Sequence, residues 1–498
     1  MSNYNNIIIL LIILLSLKIV LSFSNALVTI SFNSLYKPNS NNILSFIDSL
    51  HDRCLYTIIN VGDPEYEINS ILSVQNEYLA LIPNKSNRAE NNSTTKYNYK
   101  NSKTFKNITC LNEYLCESKN DIIAQEKFKI DTLNYLDNQK SRTILNDFNF
   151  ILGINEKYKN SEYYLNIGLK IIMQYKNNEK KEYNFIYQLK ERNIINNYYW
   201  CLFFEKGKNN NGIFLFNPEE LFNAKGRLII GDLPNNYEPK QFHKNQLLTT
   251  YSYDKDLINA WGLEFNSIYH YNKQKKIIKD MYLSIYIDIN NYLVQAPKSY
   301  YYQMKNEFFK DYLSKHICNI YTGNGFEAIY CDKSENFTID NLKEFPVLYF
   351  QNNELQFIFE FNYTDFFVEK DDKFWFLVTF PTYYEVEEWY FGIIFLRKYN
   401  LIFNPDSKTI SFYNPNLPID EESNLPKHTN KKTSPIIIII VILLLIVSIG
   451  LGIFLGKIIN YNRKIKKRFN ELEDSFEYTS KDEIEEEKIS QKSLGIEK

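Results

Sequence analysis

By side-chain type, the residues best equipped for chemistry are six cysteines and five histidines in a chain of 498 residues. Cys54, Cys110, Cys116, Cys201, Cys318 and Cys331 form an even set, as expected of a chain that passes through an oxidising compartment, where disulfides persist. Cys110 with Cys116 and Cys318 with Cys331 are the natural local bridges, while Cys54 and Cys201 stay unassigned, because spacing alone does not choose among the connectivities of six cysteines. Neither a CxxC pair nor an HExxH helix occurs, so no metal is expected. A phosphate-cradling glycine loop and a nucleophile elbow are likewise missing from the sequence, so no cofactor is implied. Sequons at Asn84, Asn91, Asn92, Asn107, Asn336 and Asn362 offer glycosylation in a secreted chain, with the reservation that an Asn-rich sequence makes such triplets by accident. A formal net charge of −2 and a pI near 6.3 leave no global basic face and exclude nucleic acid as the main partner.

The elements that must position these residues read as follows. Ile7–Leu21 is an apolar run broken by Ser16 and Lys18 and followed by Ser22, Ser24 and Ala26, which is the pattern of a signal peptide over 1–24. Met1–Asn6 carries no Lys or Arg, so an uncleaved anchor is the alternative. A second run, Ile436–Gly456, has no charge and is long enough for a bilayer core of ~30 Å, giving a transmembrane helix over 435–456. Lys457, Arg463, Lys464, Lys466, Lys467 and Arg468 follow it as a cytoplasmic flank, although Lys431 and Lys432 on the other side oppose that orientation. The expectation is a single-pass type I protein of the secretory pathway, at the cell surface or in an endosomal or vacuolar membrane, with a stalk over 416–434 and a cytoplasmic tail over 457–498. Ser448, Gly452 and Gly456 at four-residue spacing would let two such helices pack as a homodimer.

Between the apolar runs, 40 Tyr and 36 Phe against 15 Gly point to strands, since aromatic residues suit a half-buried pleated surface. Short apolar runs alternate with Asn, Lys, Asp and Gly clusters from Leu27 to Asn414. Helical spacing is confined to Ser299–Ser314, where Tyr302, Met304, Phe308, Phe309 and Tyr312 recur at three to four residues.

Several stretches, in order, resemble the pepsin-like aspartic peptidases of family A1. Leu55–Pro64 resembles that family's early strand and Gly-Thr-Pro turn, and Leu79–Pro83 the strand that follows its first catalytic loop. Tyr97–Asn107 is similar to a Ser/Thr and aromatic surface segment, Phe148–Ile154 to the Phe-Asp-Gly-Ile-Leu-Gly-Leu strand, and Arg227–Pro234 to the strand before the interlobe crossing. Trp261–Ile268 resembles the strand after that crossing, and Trp389–Tyr399 with Ile402–Asn404 the family's Trp-Ile-Leu-Gly and Val-Phe-Asp ending. The resemblance implies an all-β, two-lobed pepsin-like β-barrel fold with a cleft between lobes over 27–235 and 236–415, followed by the C-terminal transmembrane helix.

It also implies where chemistry should sit. Each lobe of the family supplies one Asp from an Asp-Thr-Gly loop, and the two carboxylates share a proton because like charges ~3 Å apart do not both ionise. Asp288, nine residues before Pro297, takes the second-lobe position, with Ile289 and Asn290 in place of Thr and Gly. In the first lobe the same position falls on Ser73 or Val74, neither of them acidic, and Glu77 is the one nearby carboxylate that a rearranged loop could bring inward. The family's flap Tyr corresponds to Tyr114, where a Cys110–Cys116 bridge would staple the flap. Since Asn tolerates only part of the backbone freedom of Gly, the replaced loop glycine is expected to matter. The function implied is a pseudopeptidase whose cleft binds a peptide or protein ligand, with an active aspartic endopeptidase and an adhesive surface glycoprotein as alternatives.

Overall fold

Burial along single segments shows why they are strands. In Arg53–Val61 the side chains of Leu55, Thr57, Ile59 and Val61 are buried, Tyr56 and Asn60 are half-buried and Ile58 is exposed, so a period of two lays one face on the core. Lys373–Pro381 is buried from Phe374 onward, as in a strand covered on both faces.

The computed structural model describes residues 26–36, 46–51, 53–83, 97–108, 121–134, 138–153, 163–171, 181–205, 218–253, 260–272, 275–323, 325–382, 388–418, 457, 461–466 and 468. The expected signal peptide, the apolar run 435–456 with Ser448, Gly452 and Gly456, and Tyr114, Cys110, Cys116, Asn84, Asn91 and Asn92 lie outside them. Among the described residues no helix is long and apolar enough to cross a membrane. The chain divides into a unit over 1–420 and another over 421–498, of which 461–466 is described as an exposed helical stretch.

The first unit is mostly β. In chain order its strands are β1 (Ala26–Tyr36), β2 (Arg53–Val61), β3 (Tyr66–Ser73), β4 (Leu79–Pro83), β5 (Lys106–Ile108), β6 (Asp121–Asn134), β7 (Gln139–Gly153), β8 (Tyr163–Gly168), β9 (Trp200–Phe204), β10 (Lys225–Ile230) and β11 (Leu247–Tyr251). They continue with β12 (Gly262–Asn272), β13 (Lys275–Ile287), β14 (Val294–Gln295), β15 (Cys318–Thr322), β16 (Phe326–Asp332), β17 (Leu348–Asn352), β18 (Phe357–Phe361), β19 (Phe367–Lys370), β20 (Lys373–Pro381), β21 (Trp389–Phe391), β22 (Ile402–Asn404) and β23 (Thr409–Tyr413). One sheet runs β11-β23-β22-β9-β10-β1-β2-β3-β8-β4-β7-β6-β5, and pairing of β6 back onto β1 and β2 rolls part of it into a barrel. The second runs β15-β16-β20-β14-β21-β13-β12-β17-β18, with β19 on β20. These make two lobes, and β11, β22 and β23 from the later part of the chain complete the earlier sheet. At the junction Trp200, Trp261 and Phe403 pack with ring centroids 4.2 to 6.0 Å apart, and Trp261 Nε1 donates to the Leu169 carbonyl at 2.8 Å.

Each sheet contains the same crossing. β3 and β4 are consecutive in sequence yet not adjacent, because β8 lies between them, parallel to β3 and antiparallel to β4. β13 and β14 are separated in the same way by β21, parallel to the first and antiparallel to the second. The stretch Phe148–Gly153, similar in sequence to the family's glycine-bearing strand, falls in β7; the glycine-bearing strand that threads the first crossing is β8, ending Ile167-Gly168.

The helical reading of Ser299–Ser314 needs a correction of face. Helix Lys298–Met304 passes through a π-helical stretch, Lys305–Phe309, into helix Lys310–Ser314. Tyr302 is exposed, and the buried side chains are Tyr300, Tyr301, Met304 and Phe309. The wider π turn shifts the buried face relative to a regular 3.6-residue period.

Cys318 and Cys331 face each other across β15 and β16 and form a disulfide with a Cα–Cα distance of 3.8 Å. Cys54 and Cys201 are both buried, and Cys201 is a free thiol.

Candidate functional site

The two crossings bring two loops together. At the first, Leu72 pairs with Ile167 and Ser73 with Gly168, after which Leu169 N donates to Ser73 O at 2.7 Å and Gly168 N to Tyr78 O at 3.2 Å. At the second, Ile287 pairs with Phe391, Asp288 N donates to Phe391 O at 3.0 Å, and Ile393 N donates to Asn291 O at 2.9 Å. β8 ends on a glycine and β21 is followed directly by one, and neither glycine has room for a side chain. A Cβ on Gly168 would lie 2.6 Å from the backbone of Glu77 and Tyr78, and one on Gly392 would overlap the Asn291 carbonyl. With Gly168 and Gly392 taken as equivalent, Ile287 matches Leu72 and Asp288 matches Ser73.

Ser73 is buried, and its Oγ accepts from Gln75 N and Asn76 Nδ2, each at 3.2 Å, so it closes its own loop. Val74 is packed in the core. The group that reaches across is Gln75, whose Nε2 donates to Asp288 Oδ2 at 3.1 Å. Asp288 Oδ1 accepts from Asn290 N at 2.9 Å, an Asx turn that orients the carboxylate. Ile289 is fully buried, taking the Thr position as a core residue.

The replaced loop glycine proves less restrictive than expected. Asn290 is not among the described residues with positive φ, so the loop makes no demand for a left-handed backbone there. Its Oδ1 is buried without a hydrogen-bond partner among the described residues, which typically costs about 1–3 kcal/mol.

Glu77 is turned elsewhere. Its side chain is 10% exposed, Oε1 lies 4.0 Å from Lys170 Nζ, and its backbone carbonyl accepts from Asn184 Nδ2 at 2.7 Å. Asn184 also caps helix Phe185–Glu191 by accepting from Tyr187 N at 3.0 Å, so the helix end holds the loop. Near Asp288, burial pushes the Tyr390 hydroxyl up, and the charges of Glu388 and then Asp288 add to the shift. Among the described residues, the two loops therefore meet through one carboxylate and one primary amide. An amide donates and accepts hydrogen bonds but carries no proton that it can exchange near neutral or acid pH.

Tyr114 and the Cys110–Cys116 pair, the expected flap, fall outside the described residues. The segment before it is anchored by Glu126, a fully buried carboxylate on β6 that accepts from Tyr97 Oη at 2.8 Å and from Thr104 Oγ1. Strand periodicity alone gave no sign of that anchor. Of the sequons, Asn107 and Asn336 are exposed, whereas Asn362 is half-buried and caps helix Tyr363–Phe366 by accepting from Thr364 N at 2.8 Å. Among the described residues no group of three or more His, Cys, Asp or Glu could hold a metal ion.

No family model matches the chain, and no curated protein matches its sequence. Solved structures do match in shape. Conglutin gamma, a basic 7S globulin from lupine seeds, superposes with a TM-score of 0.52 at 11% identity, covering 78% of this chain and 95% of that one. The basic 7S globulin from soybean gives a TM-score of 0.51 at 12% identity over 78% and 94%. At such identities the likeness is one of fold: this chain has the two-lobed, pepsin-like architecture of the basic 7S globulins.

Proposed function

We propose that the protein is a pseudopeptidase: a pepsin-like fold in which the acid–base pair is gone and the interlobe cleft serves to bind an extended peptide or protein segment. The observation that carries this reading is the hydrogen bond from Gln75 Nε2 to Asp288 Oδ2. Peptide hydrolysis by paired carboxylates needs one group to take a proton from water while the other gives one to the scissile carbonyl. With an amide in the second place, Gln75 and Asp288 do not pass a proton between them, and losing a positioned acid–base group typically costs ~10²-fold to 10⁴-fold in rate. Glu77, paired with Lys170, supplies no substitute in this arrangement. The likeness of fold to the basic 7S globulins is compatible with the same reading.

In this proposal the two-lobed unit is held outside the cytoplasm by the apolar span 435–456 as a type I protein, so its ligand is lumenal or extracellular. The test is turnover of a quenched peptide library by the full chain from pH 3 to 7, with Asp288→Asn as control. No cleavage by either is expected. Cleavage by the parent that Asp288→Asn abolishes would overturn the reading and identify a working peptidase.

A further inference from the structure

Between β1 and β2 in sequence, helix Phe46–His51 is six residues long, too short to persist in water on its own, yet its Ile47 and Leu50 are fully buried. Several of its partners belong to the second sheet. The Phe46 ring lies 6.0 Å from that of Trp375 on β20, His51 stacks on Phe326 of β16 at 4.6 Å, and Asp48 accepts a hydrogen bond from the Tyr321 hydroxyl on β15. The approach is close enough that a Cβ on Gly323, just past β15, would come within 2.7 Å of Asp48 Oδ1. Beside it, helix Pro218–Phe222 also joins the lobes. Phe222 packs 5.2 Å from Phe46, its carbonyl accepts from Arg53 Nη1 at 2.6 Å, and Glu220 pairs with Arg397 at 3.3 Å on the helix that follows Gly392.

We infer that helix Phe46–His51 is a strap that holds the two lobes at one separation, so that the cleft is preformed and does not close around what it binds. Binding by lobe closure requires the lobes to rotate against each other. Here rotation would have to separate Phe46 from Trp375, His51 from Phe326 and Asp48 from Tyr321 together. A ligand in the cleft, which rests on the binding reading above, would then dock without the ordering cost of closure.

The strap is tested without any ligand, so its failure leaves the binding reading standing. Spin labels are placed on the full chain at Ile144→Cys on β7 and Tyr302→Cys in helix Lys298–Met304, both exposed positions on different lobes. Pulsed EPR then reads the distance between them. The parent should give one narrow distribution, Phe46→Ala a broad one, and Tyr321→Phe an intermediate broadening. A broad distribution in the parent would overturn the strap, and so would a Phe46→Ala protein as narrow as the parent. Should Phe46→Ala not fold, Tyr321→Phe decides, because it removes one hydroxyl and leaves the packing in place.

Discussion

Gln75 gives Asp288 what a protonated carboxyl would give it, a hydrogen-bond donor with no charge of its own. Exchanging that amide for an acid tests the geometry directly. In Gln75→Glu a second carboxylate would stand about 3 Å from the first, and one of the two would hold its proton well above the usual range. A carboxyl whose pKa is raised by folding binds more protons in the folded state, so stability falls as pH rises from its ordinary value, about 4.3, through the raised one. The variant should therefore match the parent near pH 4 and lose about 1.4 kcal/mol at pH 7 for each pH unit by which the pKa is raised. Urea midpoints at both pH values measure this; a parent–variant difference that is the same at both would mean that residue 75 does not face Asp288. Counting back nine residues from Pro297 points to Asp288, whose carboxylate meets the other loop; no such count points to Gln75. Pro83 lies ten residues beyond Ser73, one more than in the second loop, and counting cannot say where an extra residue bulges or which side chain turns inward.

At the scale of elements, the loops owe their shape to strands that pass through them. β8 and β21 arrive about a hundred residues after the strands they separate, and each must slip a side-chain-free residue past a loop backbone. Gly168→Ala and Gly392→Ala should each cost more than about 3 kcal/mol, because the added methyl meets backbone that cannot rotate away. Denaturant unfolding checks this, and a loss below about 1 kcal/mol at either site would show that the loop can yield. Gly392 stands out in the sequence because it sits in Trp389-Tyr-Phe-Gly, whereas Gly168 is hard to tell from Gly153, which lies in a similar apolar run. Local pattern identifies a strand but not its neighbours. The Cys318–Cys331 bridge was readable for the opposite reason, since its partners are close in sequence and lie directly opposite on adjacent strands.

Over the whole molecule, the two-lobed plan was legible from the order of glycine-punctuated strands, but the sharing of strands between lobes was not, because pairing over such separations leaves no periodicity to read. Where β9 meets β22, Cys201 lies opposite Ile402, with its sulfur 3.5 Å from the Tyr237 hydroxyl. Burial pushes the Cys201 thiol up to about 12, since no water is there to solvate a thiolate. A raised thiol pKa leaves stability intact below its ordinary value and removes it as pH rises toward the folded one. The parent should thus lose about 3 kcal/mol more than Cys201→Ala between pH 8.5 and 11, read from thermal or urea unfolding at each pH. Equal losses would mean that Cys201 ionises in the folded chain. The position of β22 and β23 has a consequence for biosynthesis as well. The edge of β9 that they cover is made some two hundred residues before they are, so at ribosomal speeds of ~5–20 residues per second it stays open for roughly 10 to 40 s. An unpaired edge invites any passing strand. The cell's need to shield this protein from its neighbours therefore falls during translation, and ends only when Tyr413 has emerged.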